Sequence, residues 1–281
     1  MLKGLMHMLP QIIYKKQDLT HLSWSLIRSS SGTAGSFLKA SSKFGGKKTY
    51  YKLSNYDTVN GITGHECVNE IIADRLLSFL GIEHLHYQLI HADIIVDDRQ
   101  LETWLCASED FKKPGEDKVS FDIFYELERR RDESPLQFCI RNGWADYVYQ
   151  MLVVDFLILN RDRHGANIEI LRDRNNKTVR LAPIFDHGLS LIFSCMTEDA
   201  VRGFDVMHDL PVQCFVGSRS AMDNLNLIPP GSLPKLPLLR ESDRGMIMSG
   251  LGQALPELWL DKIWEMIYNR WVFYENFCNK G

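Results

Sequence analysis

The sequence lacks the features that mark a membrane-spanning, secreted or nucleic-acid-binding protein. It contains no run of about eighteen apolar residues, so we expect no helix that crosses a membrane. Its 32 basic and 36 acidic side chains leave a net charge of −4, which argues against the strongly basic surface typical of proteins that bind nucleic acids or acidic membranes. The apolar start of the chain is interrupted by His7 and Pro10 and is followed by no small-residue cleavage site, so we expect no signal peptide.

Two sequence patterns of metal and nucleotide sites are also missing. The six cysteines are widely scattered without a C-x-x-C pair, which favours reduced thiols in a cytoplasmic protein over a disulfide framework or a zinc site. The nearest match to a P-loop, residues 46–49, reads G-K-K-T. Its third position is a second lysine, where a P-loop has serine or threonine, so it is not a P-loop. With 281 residues, 45% of them apolar and 24% charged, the chain can bury the core of one two-lobed domain or of two small ones.

Two short polar segments stand at the ends of a predicted β-hairpin in the middle of the chain. Residues 168–171 and 179–181 have the composition of strands, and a charged, Asn-rich turn separates them. Because a hairpin can bring its ends together, Asn167 before it and Asp186 after it can share one divalent cation, with Asp162 on the same loop. Phosphoryl transfer needs such a set, namely a carboxylate that accepts the proton of a hydroxyl and two oxygen ligands for Mg²⁺. The alternative is that Asp162 and Asn167 only cap turns.

These polar segments resemble those of the HipA-like kinases. Asp162, His164 and Asn167 form D-x-H-x-x-N, and Asp186 follows in P-I-F-D-H-G, 24 residues after Asp162. Phosphoinositide 3- and 4-kinases carry a closely similar D-R-H-x-x-N. The resemblance covers most of residues 20–195 and is weak beyond them. It implies an α+β, two-lobed protein-kinase-like fold with a small β-rich N-lobe and a helical C-lobe.

A serine- and glycine-rich turn follows the first predicted strand. Residues 20–27, 37–40 and 49–53 are predicted to form strands, and the turn lies between the first two of them. Backbone N–H groups and hydroxyls in such a turn can close around phosphate oxygens, and kinases cover the nucleotide phosphates at this position. The alternative is a flexible hairpin loop. The candidate phosphate-binding residues are Ser30, Ser31, Gly32, Thr33, Ala34, Gly35 and Ser36.

A lysine in the third strand and a glutamate on the following helix form a second candidate pair. Lys52 has apolar strand neighbours, so its amine is expected to meet an anion. Lys47 and Lys48 look like solvated edge charges, but either is an alternative to Lys52 in this role. Residues 65–80 have helical spacing and end at a glycine that can cap the helix. Glu66 and Glu70 lie on one face of this helix, and either can pair with the lysine. The N-E at residues 69–70 resembles the same helix in HipA-like proteins, which makes Glu70 the first choice.

The sequence predicts a hairpin and then a largely helical second half. Residues 87–96 and 100–107 read as two strands, and a short polar segment follows them. This order is typical of a kinase hinge, where backbone groups hold adenine, so we mark the adenine-binding candidates as Ala107, Ser108, Glu109 and Asp110. Helices are predicted over residues 121–132, 145–159 and 258–278.

The resemblance implies a single kinase-like domain, with an N-lobe of about residues 1–108 and a C-lobe of about 109–281. It implies an ATP- and Mg²⁺-dependent serine/threonine protein kinase in which Asp162 is the catalytic base and Asn167 and Asp186 hold the metal. In the family the matching lysine, here Lys52, contacts the nucleotide phosphates. His164 is expected to brace the catalytic loop within the ATP site.

The resemblance also bears on partners and regulation. The expected substrate is a protein with a serine or threonine hydroxyl, and a cognate regulator protein is an open, toxin–antitoxin-like expectation. About twenty residues precede the first predicted strand, where HipA proteins usually carry a further subdomain, so we do not expect their DNA-bound assemblies to carry over. HipA-like kinases can be silenced by phosphorylation of a serine in the turn after the first strand, which here contains residues 29–31.

Two rival interpretations remain open at this level. A phosphoinositide-type lipid kinase would carry the same D-R-H-x-x-N, although no basic membrane-facing run is present. A non-catalytic nucleotide-binding protein of the same fold is the other rival, and the joint presence of Asp162, Asn167 and Asp186 argues against it.

Overall fold

The computed structural model describes residues 11–25 and 37–279, and this part of the chain combines α-helices and β-strands. Most of the strands precede residue 120, and most of the helices follow it. The strands are β1 (Ile12–Asp18), β2 (Lys39–Phe44), β3 (Lys47–Leu53), β4 (Tyr56–Asp57), β5 (Gly61–Ile62), β6 (Gln88–Val96), β7 (Arg99–Glu109), β8 (Glu116–Ser120), β9 (Asp162–Arg163), β10 (Glu169–Asp173), β11 (Thr178–Leu181) and β12 (Gln213–Cys214). The α-helices are α1 (Glu66–Leu80), α2 (Phe121–Glu128), α3 (Pro135–Arg141), α4 (Ala145–Leu157), α5 (Glu198–Arg202), α6 (Ala221–Leu225), α7 (Arg244–Met248) and α8 (Glu257–Cys278). Short 3₁₀ helices cover Gly165–Asn167, Pro230–Ser232, Glu241–Asp243 and Leu251–Gln253.

The main sheet has the strand order β1-β6-β7-β3-β2. The neighbours β6/β7, β7/β3 and β3/β2 are antiparallel, and β1 runs parallel to β6. Asp97 and Asp98 turn the β6–β7 hairpin with positive φ angles of 49° and 61°, a conformation that Asp tolerates better than most residues. The hairpin predicted over residues 87–96 and 100–107 is therefore confirmed with small shifts in its ends. This sheet carries Lys52 in β3, where it pairs with Cys106 of β7 and Lys39 of β2.

The first strand differs from the prediction. Strand β1 is Ile12–Asp18, whereas the sequence pattern favoured residues 20–27. The carboxylate of Asp18 accepts hydrogen bonds from the N–H and the hydroxyl of Thr20, at 3.1 and 2.6 Å, and so closes a turn that ends the strand. Within the described part of 20–27, only Ser25 makes a β-bridge, to Lys39, and residues 26 and 27 lie outside the described ranges.

Helix α1 begins and ends for identifiable reasons. Gly81 follows it with φ 71°, and its N–H returns to carbonyls of the last turn, so the predicted glycine cap is confirmed. At the other end, the side chain of the N-cap residue, His65, makes no capping hydrogen bond. Instead, the hydroxyl of Ser54 accepts the N–H of Cys67 at 3.0 Å. The cap thus comes from the end of β3, which fixes the helix beside the strand that carries Lys52.

The second half of the described chain is mainly helical and contains the predicted central hairpin. Strands β10 and β11 pair antiparallel, and β8 adds a third strand on the other side of β10. Helix α4 is buried along most of its length and ends just before the first polar segment. One hydrophobic core joins α1, α4 and α8, and a smaller one lies against the main sheet. Over residues 11–25 and 37–279, no helix has both the length and the hydrophobicity needed to cross a bilayer.

Candidate active site

Three of the predicted site residues meet at the boundary between the sheet and the helical half. The Nζ of Lys52 lies 2.9 Å from Oε1 of Glu70 and also donates to Oδ1 of Asp186. Glu70 is fully buried on α1, and the side chain of Lys52 is only 12% exposed. Lys52 and Asp186 are 134 residues apart in sequence, so only the tertiary fold brings them together.

The charges of this group stabilise one another. Burial alone would lower the pKa of Lys52, but the carboxylates of Asp186 and Glu70 raise it well above its usual value. Burial alone would likewise raise the pKa values of the two carboxyls, yet the Lys52 ammonium holds both below their usual range. All three groups are therefore charged at neutral pH. The three charges sum to −1, so this group suits a phosphate only together with a cation at Asp186, as in a metal-bound phosphate.

The structure distinguishes the two glutamates that the sequence left open. The Oε2 of Glu66 accepts the N–H of Asn55 at 3.0 Å, and burial raises the pKa of Glu66. Glu70 makes the direct ion pair with Lys52. Lys47 and Lys48, the alternative lysines, are both exposed.

The D-H-G segment is docked on α1 by its backbone. The N–H of His187 donates to Oε2 of Glu70 at 2.9 Å, and the amide of Asn69 donates to the carbonyl of Gly188 at 3.0 Å. A Cβ at position 188 would lie 3.1 Å from the Nζ of Lys52 and 3.2 Å from Cβ of Glu66, so only glycine fits without displacement. Asp186 has a positive φ of 61°, and its N–H donates to the hydroxyl of Tyr87 at 3.4 Å. These contacts present the Asp186 carboxylate to Lys52.

A buried arginine joins the two polar segments. The guanidinium of Arg163 makes a bidentate pair with Asp155 of α4, with both distances 2.9 Å. Its Nη1 also donates to the carbonyls of Asn167 and Phe185, at 3.0 and 2.6 Å. Arg163 thus binds both Phe185, which precedes Asp186, and Asn167, which is predicted to share a metal with Asp186. This buried side chain, and not only the hairpin, connects the two polar segments.

Asp162 and Asn167 lie on the loop that this arginine anchors. The amide nitrogen of Asn167 donates to the backbone carbonyl of Asp162 at 2.7 Å, which leaves the amide oxygen as the atom that can coordinate a cation. The N–H of Asp162 donates to the amide oxygen of Asn160 at 3.2 Å. Burial raises the pKa of the Asp162 carboxyl, and the nearby Asp186 carboxylate raises it further.

His164 contacts the same loop. Its Nδ1 accepts the N–H of Ala166 at 3.1 Å, and its Nε2 lies 3.6 Å from Oδ2 of Asp162. These contacts show the histidine beside the loop backbone. Its assignment to the ATP site stays a prediction.

The predicted adenine-binding segment lies at the end of β7. Ala107 pairs with both neighbouring strands, and Ser108 and Glu109 continue the pairing with β3. The N–H of Asp110 donates to the carbonyl of Lys48 at 3.1 Å. The seven residues of the predicted phosphate loop, 30–36, lie outside the described ranges, so that assignment also stays a prediction.

The sequence interpretation gave no role to Arg163 and Asp155. A signal was present, because Asp155 is the one charged residue in the apolar run of residues 151–159 and stands eight residues before Arg163. A buried charge needs a partner, so this pattern predicts an ion pair within the core. Tyr87, which contacts Asp186 and whose pKa is raised well above its usual value by burial and by Glu70, carried no such signal.

Comparisons with known proteins agree with this description. No family model matches the sequence. The serine/threonine-protein kinase CtkA of Helicobacter pylori is 27% identical over 161 residues, which cover 53% of this chain and 46% of CtkA. The chain thus spans about half the length of the curated relative it matches.

Solved structures resemble the chain over more of its length. The crystal structure of a Helicobacter pylori proinflammatory kinase CtkA covers 91% of this chain and 94% of its own, with a TM-score of 0.57 and 17% identity. A Shewanella oneidensis HipA, solved with HipB and operator DNA, covers 89% of this chain and 63% of its own, with a TM-score of 0.42 and 16% identity. The match to CtkA confirms the predicted α+β kinase-like fold. The sequence is thus similar to that of a serine/threonine-protein kinase over about half of the chain, and its D-x-H-x-x-N and D-H-G motifs resemble those of the HipA-like kinases.

Proposed function

We propose that this protein is an ATP- and Mg²⁺-dependent kinase that phosphorylates serine or threonine hydroxyls of a protein substrate. The observation that carries the proposal is the joint placement of Lys52, Glu70 and Asp186, clamped through Arg163 to the loop of Asp162. Phosphoryl transfer requires little covalent chemistry from the protein and depends on positioned charges. This arrangement supplies charges of both signs in a partly buried site.

The residues fit a magnesium nucleotide. Asp186 offers a carboxylate whose lowered pKa keeps it ionised, and Asn167 offers an amide oxygen whose orientation is fixed by its donor contact. Both are hard oxygen ligands, which Mg²⁺ prefers. Bound there, the ion would neutralise phosphate charge. Lys52, oriented by Glu70, would hold the phosphates, residues 30–36 would cover them, and residues 107–110 would receive adenine.

Asp162 is assigned as the base. It would accept the proton of the substrate hydroxyl as that oxygen forms a bond to the terminal phosphorus of ATP and the bond from phosphorus to the bridging oxygen breaks, with ADP as the leaving group. Burial and the Asp186 carboxylate raise its pKa, which makes it a stronger base than an exposed aspartate. Its backbone is fixed by Asn160 and Asn167, so the carboxylate belongs to a rigid loop.

A protein substrate is favoured over a lipid. CtkA, to which the sequence is similar, is named a serine/threonine-protein kinase. The net charge of −4 gives no support to binding of anionic membranes.

The cysteines bear on the location of the protein. All six are free thiols, and four of them are buried, which supports a cytoplasmic location. A cognate regulator protein remains a prediction from the family resemblance.

The test separates nucleotide binding from chemistry. The wild type, Asp162→Asn and Asp186→Asn are incubated with labelled ATP, Mg²⁺ and a cell lysate, and phosphorylated proteins are identified by mass spectrometry. Asp162→Asn should keep ATP affinity within about threefold but lose transfer by about 10²-fold or more, since its role is confined to the hydroxyl. Asp186→Asn should lose both. Asp117→Asn, at an exposed position of β8, is the matched control and should behave as the wild type.

Each outcome has a definite meaning. Labelled lipid in place of labelled protein would establish the lipid-kinase alternative. ATP binding without transfer in the wild type would establish a non-catalytic nucleotide-binding protein. If Asp162→Asn kept most of its turnover, the assignment of the base would be wrong.

A further inference from the structure

A second cluster of ligand-type side chains lies behind the candidate active site. Asp74 is on α1, and His84 and His86 are on the connection between α1 and β6. The Nε2 of His84 and the Nδ1 of His86 lie 2.8 and 3.0 Å from the same oxygen, Oδ1 of Asp74. One ligand atom from each residue can be chosen so that all three lie within 4.8 Å of one another. Two imidazoles and a carboxylate therefore converge on one point.

The outer contacts of His84 orient it as a ligand. Its Nδ1 lies 2.7 Å from the carbonyl of Ile82, which can only accept, so this nitrogen donates its proton there. The Nε2 on the opposite side of the ring faces Oδ1 of Asp74 at 2.8 Å. An N–H to a backbone carbonyl on the far side of the ring is the usual support for a metal-binding histidine.

Asp74 is also held in place by contacts outside the cluster. Its Oδ2 accepts the N–H of Tyr87 at 2.7 Å and the amide of Gln11 at 3.1 Å. These donors fix the carboxylate so that Oδ1 faces the two imidazoles and the hydroxyl of Ser78, which donates to it at 3.4 Å. Asp74 and His84 are buried, with side chains 3% and 2% exposed, whereas His86 is 73% exposed. The cluster is therefore rigid on its inner side and reachable from solvent through His86.

We propose that Asp74, His84 and His86 bind one divalent transition-metal ion, with Zn²⁺ as the best fit. Imidazole nitrogen with a single carboxylate suits zinc and its neighbours, whereas Mg²⁺ and Ca²⁺ take all-oxygen sets. Bonds of about 2.0–2.2 Å in a tetrahedron need ligand atoms about 3.3 Å apart. The His–Asp separations of 2.8 and 3.0 Å would open slightly, and the three ligand atoms, which lie within 4.8 Å of one another, would all move to that spacing. Three protein ligands leave the fourth position to water on the exposed side.

The ion would fasten the segment that supports Asp186. Next to His84, the N–H of Leu85 donates to the carbonyl of Ile184 at 2.9 Å. Next to His86, the hydroxyl of Tyr87 accepts the N–H of Asp186. A metal that ties these histidines to α1 therefore stabilises the backbone immediately before the D-H-G segment. The site itself shares no side chain with the proposed nucleotide site, so its existence does not depend on kinase activity.

The test measures metal binding directly. Metal-free protein is titrated with Zn²⁺ in competition with a chromophoric chelator, and the same titration is run with Mg²⁺. The wild type should bind one Zn²⁺ per chain, and Mg²⁺ should not compete. His86→Ala should weaken zinc binding by more than about tenfold, because loss of even an outer-shell partner typically costs 10- to 100-fold in metal affinity. His21→Ala is the matched control, since His21 is also an exposed histidine, and it should bind as the wild type.

A second measurement identifies the ligands. Co²⁺ bound at this site should give visible absorption bands without the intense near-ultraviolet band of a thiolate ligand, because the set holds only nitrogen and oxygen. Asp74→Asn, checked for folding by circular dichroism, should lose this spectrum. Zinc affinity that is equal in the wild type and His86→Ala, or a thiolate band in the cobalt spectrum, would overturn the proposal. So would a wild type that binds neither ion.

Discussion

Replacement of Arg163 should damage the fold and the candidate site together. Its guanidinium is 1% exposed and occupies three partners at once: the carboxylate of Asp155 and the carbonyls of Asn167 and Phe185. Arg163→Met removes the charge and the donors while retaining much of the apolar length of the side chain. The buried Asp155 would lose its bidentate partner, although the amide of Asn160 would still donate to it at 2.9 Å.

The expected cost follows from the burial of the pair. Removal of one member of a buried ion pair typically costs about 3–5 kcal/mol, because the remaining charge stays desolvated without its partner. The two carbonyls that lose a charged donor add to this cost, and relaxation of the loop reduces it. For a chain of 281 residues, with an unfolding entropy of about 2.1 cal/mol/K per residue, a loss of about 3–5 kcal/mol corresponds to a fall of about 5–8 °C in Tm.

Urea unfolding followed by tryptophan fluorescence, together with thermal scanning, measures the change. Arg174→Met is the matched control, because Arg174 also pairs with an aspartate, Asp117, at 3.0 Å but is 72% exposed, so its loss should cost about 0–1 kcal/mol. The double variant Arg163→Met/Asp155→Leu should be more stable than Arg163→Met alone, since it leaves no unpaired charge. If Arg163→Met lost no more stability than Arg174→Met, the clamp described above would not hold the two polar segments together.

Three further predictions concern the proposed nucleotide site. Glu70→Gln should lower kcat/KM about tenfold or more, because it removes the charge that orients Lys52. Glu66→Gln, at a buried position of the same helix without that ion pair, should stay near wild type, and equal effects of the two would contradict the assignment. ATP with Mg²⁺ should raise Tm more than ATP with EDTA, because a hundredfold excess over Kd adds about 2.7 kcal/mol, and an equal shift would exclude a metal-dependent site. The pKa of Asp162 is raised, so a base in its ionised form is lost as pH falls through that raised value, and the acid limb of kcat/KM should lie above the usual aspartate range near about 3.9; a limb at or below that value would count against Asp162 as the base.

The sequence predicted correctly those elements whose local pattern agrees with their place in the tertiary structure. The helix before Gly81 and the hairpin of β6 and β7 follow from periodicity and turn chemistry, and both are present near the expected residues. The central hairpin was expected to bring its two ends together. In the structure Asn167 and Phe185 share one donor, which agrees with that expectation.

The remaining features depend on contacts that no local pattern contains. The choice of Glu70 over Glu66 depends on which side of α1 faces β3, and two glutamates one turn apart have nearly the same direction on the helix. Strand β1 was not predicted because most of its residues are polar and exposed. Its pairing partner, β6, also lies more than seventy residues later in the chain. The cluster of Asp74 with two histidines was missed because its members come together only when the chain turns back after α1.

Helix α1 connects these observations physically. Glu70 and Asp74 are four residues apart, so they lie on the same side of the helix, where one binds Lys52 and the other the two histidines. On another side, Arg75 donates to the carbonyls of Ile247 and Ser249, at 2.8 and 2.7 Å, and so ties the helix to the helical half. A rotation of α1 that separated Glu70 from Lys52 would therefore also break the contacts of Asp74 and Arg75. Each of these contacts holds the Lys52–Glu70 pair in place, so a substitution at Arg75 should reduce phosphoryl transfer without touching the nucleotide.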